Sequence, residues 1–469
     1  MTQRGRRGSV AGRLAGRRPR YDQQGRNRII GAETGSTTIA IRLRESLTSH
    51  PVFARIADGT TPNERILYLQ MAFQSIFLGG AMAFVPVFLV RLGAENWQVG
   101  LYSSLPALLA TLLLLPAGAL ASRMDDLIKV VNWSRISFRG IIGLFAFVPL
   151  LAPPIAPYAV VVGRTLTAFP SAMLNATIAP VLGMVIAPAR RLQVISVRMA
   201  VQSLAMALVG LLAGFWLDYA AYPLNYQFLF ISGFVGCLLS VMVMSRVEVP
   251  KDAYRARARS APQIGLREVV TLLRRDQVFA SYLGASLVLR TGLALTVSVM
   301  PVYQVRTLGA SDAWIGALLT VQRIIQMVAF MALSALLRQR RYRRLLWISA
   351  FGIALVPLTS AMAVTPAMLL IPSVLGGVFA AGMTVYLTNT LLAASPDENR
   401  PLYAALNASV IQVTTFAAPM VGSLLADLVS IRLVLVLATL VRAAGGVAFG
   451  RRRARLQRQR TEAQIEEAP

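Results

Sequence analysis

The 469-residue chain has one cysteine, one histidine and 20 acidic residues, against 47 Lys and Arg. Cys237 alone cannot form an intrachain disulfide, and its place in an apolar run implies no redox compartment. The only histidine, His50, lies in a polar N-terminal segment. Cys/His metal sites and a Ser-His-Asp triad are thereby excluded from the apolar interior. No phosphate loop or nucleophile–base pair appears, so no catalysis, cofactor or metal is expected. The first 28 residues are Arg-rich and lack the apolar core of a secretory signal. Charge of either sign is scarce. It makes up 14% of residues, with 56% hydrophobic, whereas a soluble domain is about a quarter charged.

Such a chain has more apolar residues than one soluble core can use. A membrane helix needs about 20 of them, and apolar runs bounded by charge, Pro or Gly fall at 66–91, 97–121, 129–152, 156–187, 196–220 and 227–246. A second set follows at 278–305, 313–337, 345–364, 366–394, 402–428 and 430–449. The expected fold is an all-α membrane protein, with 12 transmembrane helices arranged as two six-helix pseudo-symmetric bundles. The corresponding domains are a disordered basic tail (1–63), a first bundle (64–246), a basic connector (247–277), a second bundle (278–450) and a C-terminal tail (451–469).

The formal charge of +27 suggests a nucleic-acid binder, but its distribution does not. Alternate loops collect most of the Lys and Arg: the N-terminal tail, the stretch from Arg123 to Arg139, Arg190/Arg191/Arg198, the connector, the Arg338–Arg344 cluster, Arg400 and the C-terminal tail. The opposite side receives only Arg91, Arg306 and Arg432. By the positive-inside rule the Arg-rich side is cytoplasmic and both termini lie there, as an even number of spans requires. The expected location is the cell (inner) membrane, as a monomer, with basic clusters against anionic lipid and no specific nucleic acid bound.

The chain also repeats itself. Pro86-Val87-Phe88-Leu89-Val90-Arg91-Leu92-Gly93-Ala94 is echoed by Pro301-Val302-Tyr303-Gln304-Val305-Arg306-Thr307-Leu308-Gly309-Ala310, at an offset of 215 residues with Thr307 inserted. Gly100 and Gly316 each follow six residues past their Leu-Gly-Ala. A duplication at nearly half the chain length, inside apolar segments, fits two related membrane bundles.

Six plus six spans with a basic central loop resemble the major facilitator superfamily of secondary transporters. That family's signature after its second helix reads Gly-x-Leu-Ala-Asp-Arg-x-Gly-Arg-Lys. Here Gly118, Leu120, Ala121 and Arg123 match, Ser122 replaces the acid, and Asp125 and Asp126 stand where Gly and Arg are expected. The resemblance implies a conformational latch built from Gly118, Arg123, Asp125 and Asp126. Gly163-Arg164-Thr165-Leu166-Thr167-Ala168 is similar to the family's Arg-x-x-Gln-Gly motif, with its last two residues substituted. The Gly-Pro signature of drug/proton antiporters is missing from the fifth span. The resemblance further implies alternating access, with helices 1, 4, 7 and 10 lining a central cavity.

Polar groups inside a bilayer are expensive, about +2.5 to +3.5 kcal/mol for an arginine facing lipid. Arg164, Arg290 and Arg323 stand out as arginines well within runs. Arg164, Thr167, Ser171 and Asn175 share a helical face, as do Gln70 and Gln74, while Gln322, Arg323 and Gln326 cluster. Tyr386 and Asn389 make the tenth span polar. Arg290, Arg323, Arg164, Gln74, Gln326, Asn175, Tyr386 and Asn389 are the candidate substrate-binding residues; interhelical hydrogen bonds are the plainer role for the Gln, Asn and Tyr side chains. No carboxylate or histidine sits mid-span, so a buried proton carrier is not expected. Unpaired guanidinium groups favour an anionic small-molecule substrate. Efflux of amphipathic drug-like compounds is the alternative within the family. A non-transporting receptor or scaffold with a carrier fold is the alternative of another class.

Overall fold

The structure is a computed structural model that describes residues 60–122, 124, 126–248, 274–336, 342–396 and 400–466. All regular structure among these residues is helical. Ten helices are long and apolar enough to cross a membrane. Asn96–Ser122 and the pair Tyr342–Gly352 and Leu355–Ala361 occupy the second and ninth of the twelve expected positions. The other spans, in order, are Pro62–Arg91, Leu127–Leu150, Ala156–Val185, Arg191–Tyr219, Leu224–Met244, Gln277–Thr307, Asp312–Leu336, Pro366–Ala394, Arg400–Leu428 and Ile431–Glu466.

The helix starts follow from local chemistry. Thr61 and Glu64 form a reciprocal capping box ahead of Pro62, with the Glu64 amide donating to Thr61 Oγ1 at 3.3 Å. Asp126 caps the third span by accepting from the Lys129 amide at 3.1 Å. Asp276 caps the seventh, accepting from the Phe279 amide at 2.8 Å.

The repeat shows how one extra residue is absorbed. In the first copy the Leu92 amide donates to the Phe88 carbonyl, four residues back. In the second copy the Leu308 amide donates to the Tyr303 carbonyl, five residues back, and Tyr303–Thr307 is a π-helical turn. The inserted Thr307 therefore widens one turn without disturbing the Leu-Gly-Ala that follows. Gly93 and Gly309 then end their helices at φ +85° and +62°, a left-handed conformation that a side chain would oppose.

Two spans expected to be continuous are broken. The fourth is interrupted at Thr167, between Ala156–Leu166 and Ala168–Val185, and the ninth between Gly352 and Leu355. The twelfth helix continues without interruption to Glu466, where a separate tail was expected from residue 451.

The halves meet along two lines: the second span packs on the eleventh and the fifth on the eighth. Close approach on the second line depends on missing side chains. A Cβ on Gly316 would lie 2.6 Å from the Gly210 carbonyl oxygen and 3.0 Å from the Gly214 Cα. The first half buries Phe77, Phe84, Phe88, Phe145, Tyr226 and Phe230, a core that extends to Val302, Ala310 and Ile315 of the second half. Phe279, Tyr282, Leu289 and Phe449 form a separate core in the second half.

Candidate functional site

Each of the three expected arginines is half-buried and held by a neighbour about one turn away on its own span. Arg290 Nε donates to Ser286 Oγ at 3.1 Å, with the Tyr282 ring one turn further on. Arg323 Nη1 donates to Gln326 Oε1 at 3.2 Å. Arg164 Nη1 donates to Thr167 Oγ1 at 2.6 Å, at the break in the fourth span. Its guanidinium lies 5.7 Å from the Tyr102 ring and 5.8 Å from the Phe138 ring. Ion pairs among the described residues join Arg91 to Asp312, Lys129 to Asp126 and Arg190 to Glu64, and so take in none of these three arginines.

The other candidates divide. Gln74 accepts from the Gln70 side-chain amide at 2.6 Å, and Gln70 also donates to Ser240 Oγ at 2.9 Å, an interhelical bond to the sixth span. Tyr386 packs edge-on against Phe449, with centroids 5.3 Å apart. Asn175 and Asn389 are exposed near the Arg-rich ends of the fourth and tenth spans. Of the latch residues, Gly118 lies in the second span and Asp126 caps the third, pairing with Lys129 at 3.3 Å. Arg123 and Asp125 lie outside the described residues.

Four more arginines are inside the helices. Arg135, Arg139 and Arg198, assigned to basic loops on sequence, are 2%, 2% and 3% exposed. They fall within apolar runs whose first turns carry positive charge, and counting them with the loops hid them. Arg442, 4% exposed, is a structural pin for the second half. Its Nε donates to the Gly292 carbonyl at 3.0 Å, Nη1 to the Ile353 carbonyl at 3.2 Å and Nη2 to Thr296 Oγ1 at 2.6 Å. Its position, twelve residues into an apolar run, was the available signal.

At the Arg-poor end the two repeat copies clasp each other. Arg91 Nη2 donates to the Ala310 carbonyl at 2.9 Å and pairs with Asp312 Oδ1 at 3.1 Å. Arg306 donates to the Ala94 carbonyl and, at 3.4 Å, to Asn96 Oδ1. Ala94 and Ala310 are the same position of the repeat, and so are Asn96 and Asp312. Two further carboxylates complete the arrangement. Asp218 accepts from the backbone amides of Asp312 and Ala313, at 2.9 and 3.1 Å. Asp427 accepts from Asn96 Nδ2 at 2.6 Å. Tyr226 also donates to Asp312 Oδ2 at 2.9 Å. Asp218 and Asp427 lie at the Arg-poor ends of the fifth and eleventh spans.

A sequence model described as the Major Facilitator Superfamily matches residues 67–366 and again 285–468. The chain belongs to the Major Facilitator Superfamily. Among solved structures it is similar to a mutant form of the nucleoside transporter NupG, at 12% identity and a TM-score of 0.62, covering 82% of this chain and 99% of that one. It is also similar to a bacterial homologue of the iron transporter ferroportin in its inward-facing state, at 15% identity and a TM-score of 0.64, covering 83% and 98%. No curated protein sequence matches it.

Membership makes this chain a multi-pass membrane protein and a secondary transporter of a small molecule, not an enzyme by kinship. The two overlapping matches agree with the internal repeat.

Proposed function

We propose that this transporter moves a small organic solute carrying an anionic group, and that Arg290 and Arg323, with Arg164 from the first half, recognise the charge. The observation that carries this reading is that each guanidinium sits within a span, is held by a neutral neighbour about a turn away on its own span, with Tyr282 also beside Arg290 and Tyr102 beside Arg164, and has no carboxylate paired with it. A guanidinium fork has donors to spare in such a setting, and carboxylate or phosphate oxygens match its geometry. Gln74, Gln326, Asn175, Tyr386 and Asn389 supply the uncharged contacts.

No mid-span carboxylate or histidine offers a proton carrier, so transport runs by exchange or downhill. The Arg-rich face is cytoplasmic, which makes the clasped face the outer one. The closed clasp then corresponds to a carrier open toward the cytoplasm, and Gly118, Arg123, Asp125 and Asp126 act at the opposite face when the carrier turns.

The test is a thermal-stability screen of the detergent-purified protein against organic anions and cationic drug-like compounds. Organic anions are expected to raise Tm; uptake of the best one into proteoliposomes should fall at least about tenfold in Arg290→Gln and Arg323→Gln, with folding intact. Stabilisation by cations alone, or unchanged uptake in both variants, would overturn the reading.

A further inference from the structure

The arginines that the sequence concealed lie in the first half, away from Arg290 and Arg323 of the second. Arg135 and Arg139 stand one turn apart on the third span, and Arg198 of the fifth span reaches Gln70, which donates to Ser240 of the sixth span, one turn from the Cys237 that Arg139 meets. Each is at least 97% buried, with 2%, 2% and 3% exposed. Their protein partners are few and neutral. Arg139 Nη1 lies 3.7 Å from Cys237 Sγ and its guanidinium 5.2 Å from the Phe77 ring; Arg198 Nη2 reaches Gln70 Oε1 at 3.5 Å.

Several of their N–H groups have no protein acceptor: Arg135 Nε and Nη1, Arg139 Nε and Arg198 Nε. The charged and titratable groups nearby do not neutralise them. Tyr68 faces Arg198, and Glu64, the adjacent carboxylate, is committed to Arg190 at 3.0 Å and to its capping box. Cys237 is spoken for by Arg139 and by the Arg135 carbonyl, to which it donates at 3.6 Å.

Three buried like charges with open donors cannot be stable on their own, because an uncompensated buried charge carries a penalty of several kcal/mol. A resident counter-ion resolves this. We propose that Arg135, Arg139 and Arg198 enclose a site for one small monovalent anion, of the size of chloride or formate. Enclosure by Phe77, Cys237 and Gln70, with no arginine more than 3% exposed, excludes any solute much larger than formate. The site lies inside the first half, in the Arg-rich half of its spans, and is separate from Arg290 and Arg323. Its occupant is a structural counter-ion that ties the third span to the fifth.

The test uses the full-length purified protein at constant ionic strength, with gluconate replaced stepwise by chloride, bromide or formate. A saturable rise in Tm of several degrees is expected with all three small anions, and its loss is expected in Arg135→Met and Arg139→Met. The substitution carries opposite signs under the two views. If the arginines are merely uncompensated, Arg135→Met stabilises the protein in every buffer; if they hold an anion, it lowers Tm in saturating chloride. Should a variant fail to fold, the wild type still decides: crystals grown in bromide should show an anomalous peak between the three guanidinium groups. No saturable anion response and no such peak, or a response that survives both substitutions, would overturn the proposal. These readouts involve no transport, so they stand or fall apart from the central pocket.

Discussion

Arg91 and Arg306 each hold the other's repeat: Arg91 donates to the Ala310 carbonyl, and Arg306 to that of Ala94. The exchange is a pseudo-twofold relationship written in the sequence. It is also lopsided, because Arg91 meets the carboxylate of Asp312 where Arg306 meets the amide of Asn96. One side of the clasp is an ion pair and the other is neutral.

We propose that the clasp closes this face, so weakening it should open the face. Truncating Arg306 to Ala removes bonds worth about 1–2 kcal/mol in all, a five- to thirty-fold shift in a two-state equilibrium. The measurement is the rate at which an impermeant maleimide labels Ala94→Cys, with and without Arg306→Ala. Cys237 is fully buried and gives little background. The rate should rise about fivefold or more; an unchanged rate would mean that the clasp does not control the face.

Symmetrising the clasp should weaken it. Asn96→Asp would give Arg306 a carboxylate, but Asp427 already lies 2.6 Å from the Asn96 amide nitrogen. Two carboxylates there repel each other, so Asn96→Asp is expected to speed labelling at position 94. Asn96→Asp with Asp427→Asn should restore slow labelling. Equal rates in the single and double variants would refute the pairing.

The close approach of the fifth and eighth spans gives a prediction about packing. Gly316→Val places carbon where the Gly210 carbonyl oxygen and Gly214 Cα stand 2.6 and 3.0 Å away. The clasped state should lose about 1–3 kcal/mol, which lowers Tm and speeds labelling of the outer face. Gly284→Ala, where a Cβ meets nothing within 4 Å, is the control and should leave both unchanged.

The buried arginines should separate by what they do. Arg442→Leu removes its three buried hydrogen bonds, to the Gly292 and Ile353 carbonyls and to Thr296 Oγ1, each worth about 0.5–1.5 kcal/mol. Its Tm should fall by several degrees. Arg290→Gln, which loses a hydrogen bond to Ser286 and the neighbouring contact with Tyr282, should change Tm little and act on transport. If the two variants lowered Tm equally, Arg290 would be a structural residue.

The architecture was legible because a bilayer imposes run length and loop charge, and the duplication in residues 86–94 and 301–310 fixed the pairing of halves. Even the inserted Thr307 read correctly as one residue too many, although the π turn that absorbs it was not foreseen. The breaks at Thr167 and Gly352 were invisible, since neither interrupts the hydropathy. Arg135, Arg139 and Arg198 were misplaced because the positive-inside count takes charge near a span end as loop charge, while helix geometry turns these three inward. Arg91 and Arg306 were visible as the few charges of the Arg-poor side. Self-comparison shows equivalence and not contact, so their crossing over had to come from three dimensions.

We propose a carrier whose clasped face opens and closes around an organic anion. The direct measurement is uptake into proteoliposomes by Asn96→Cys/Asp427→Cys, made at the 2.6 Å contact and joined by a short, reducible thiol cross-linker. No uptake of the best organic anion is expected while the cross-link holds, with recovery to the uncross-linked rate on reduction. Uptake at full rate through the cross-linked protein would contradict the proposal.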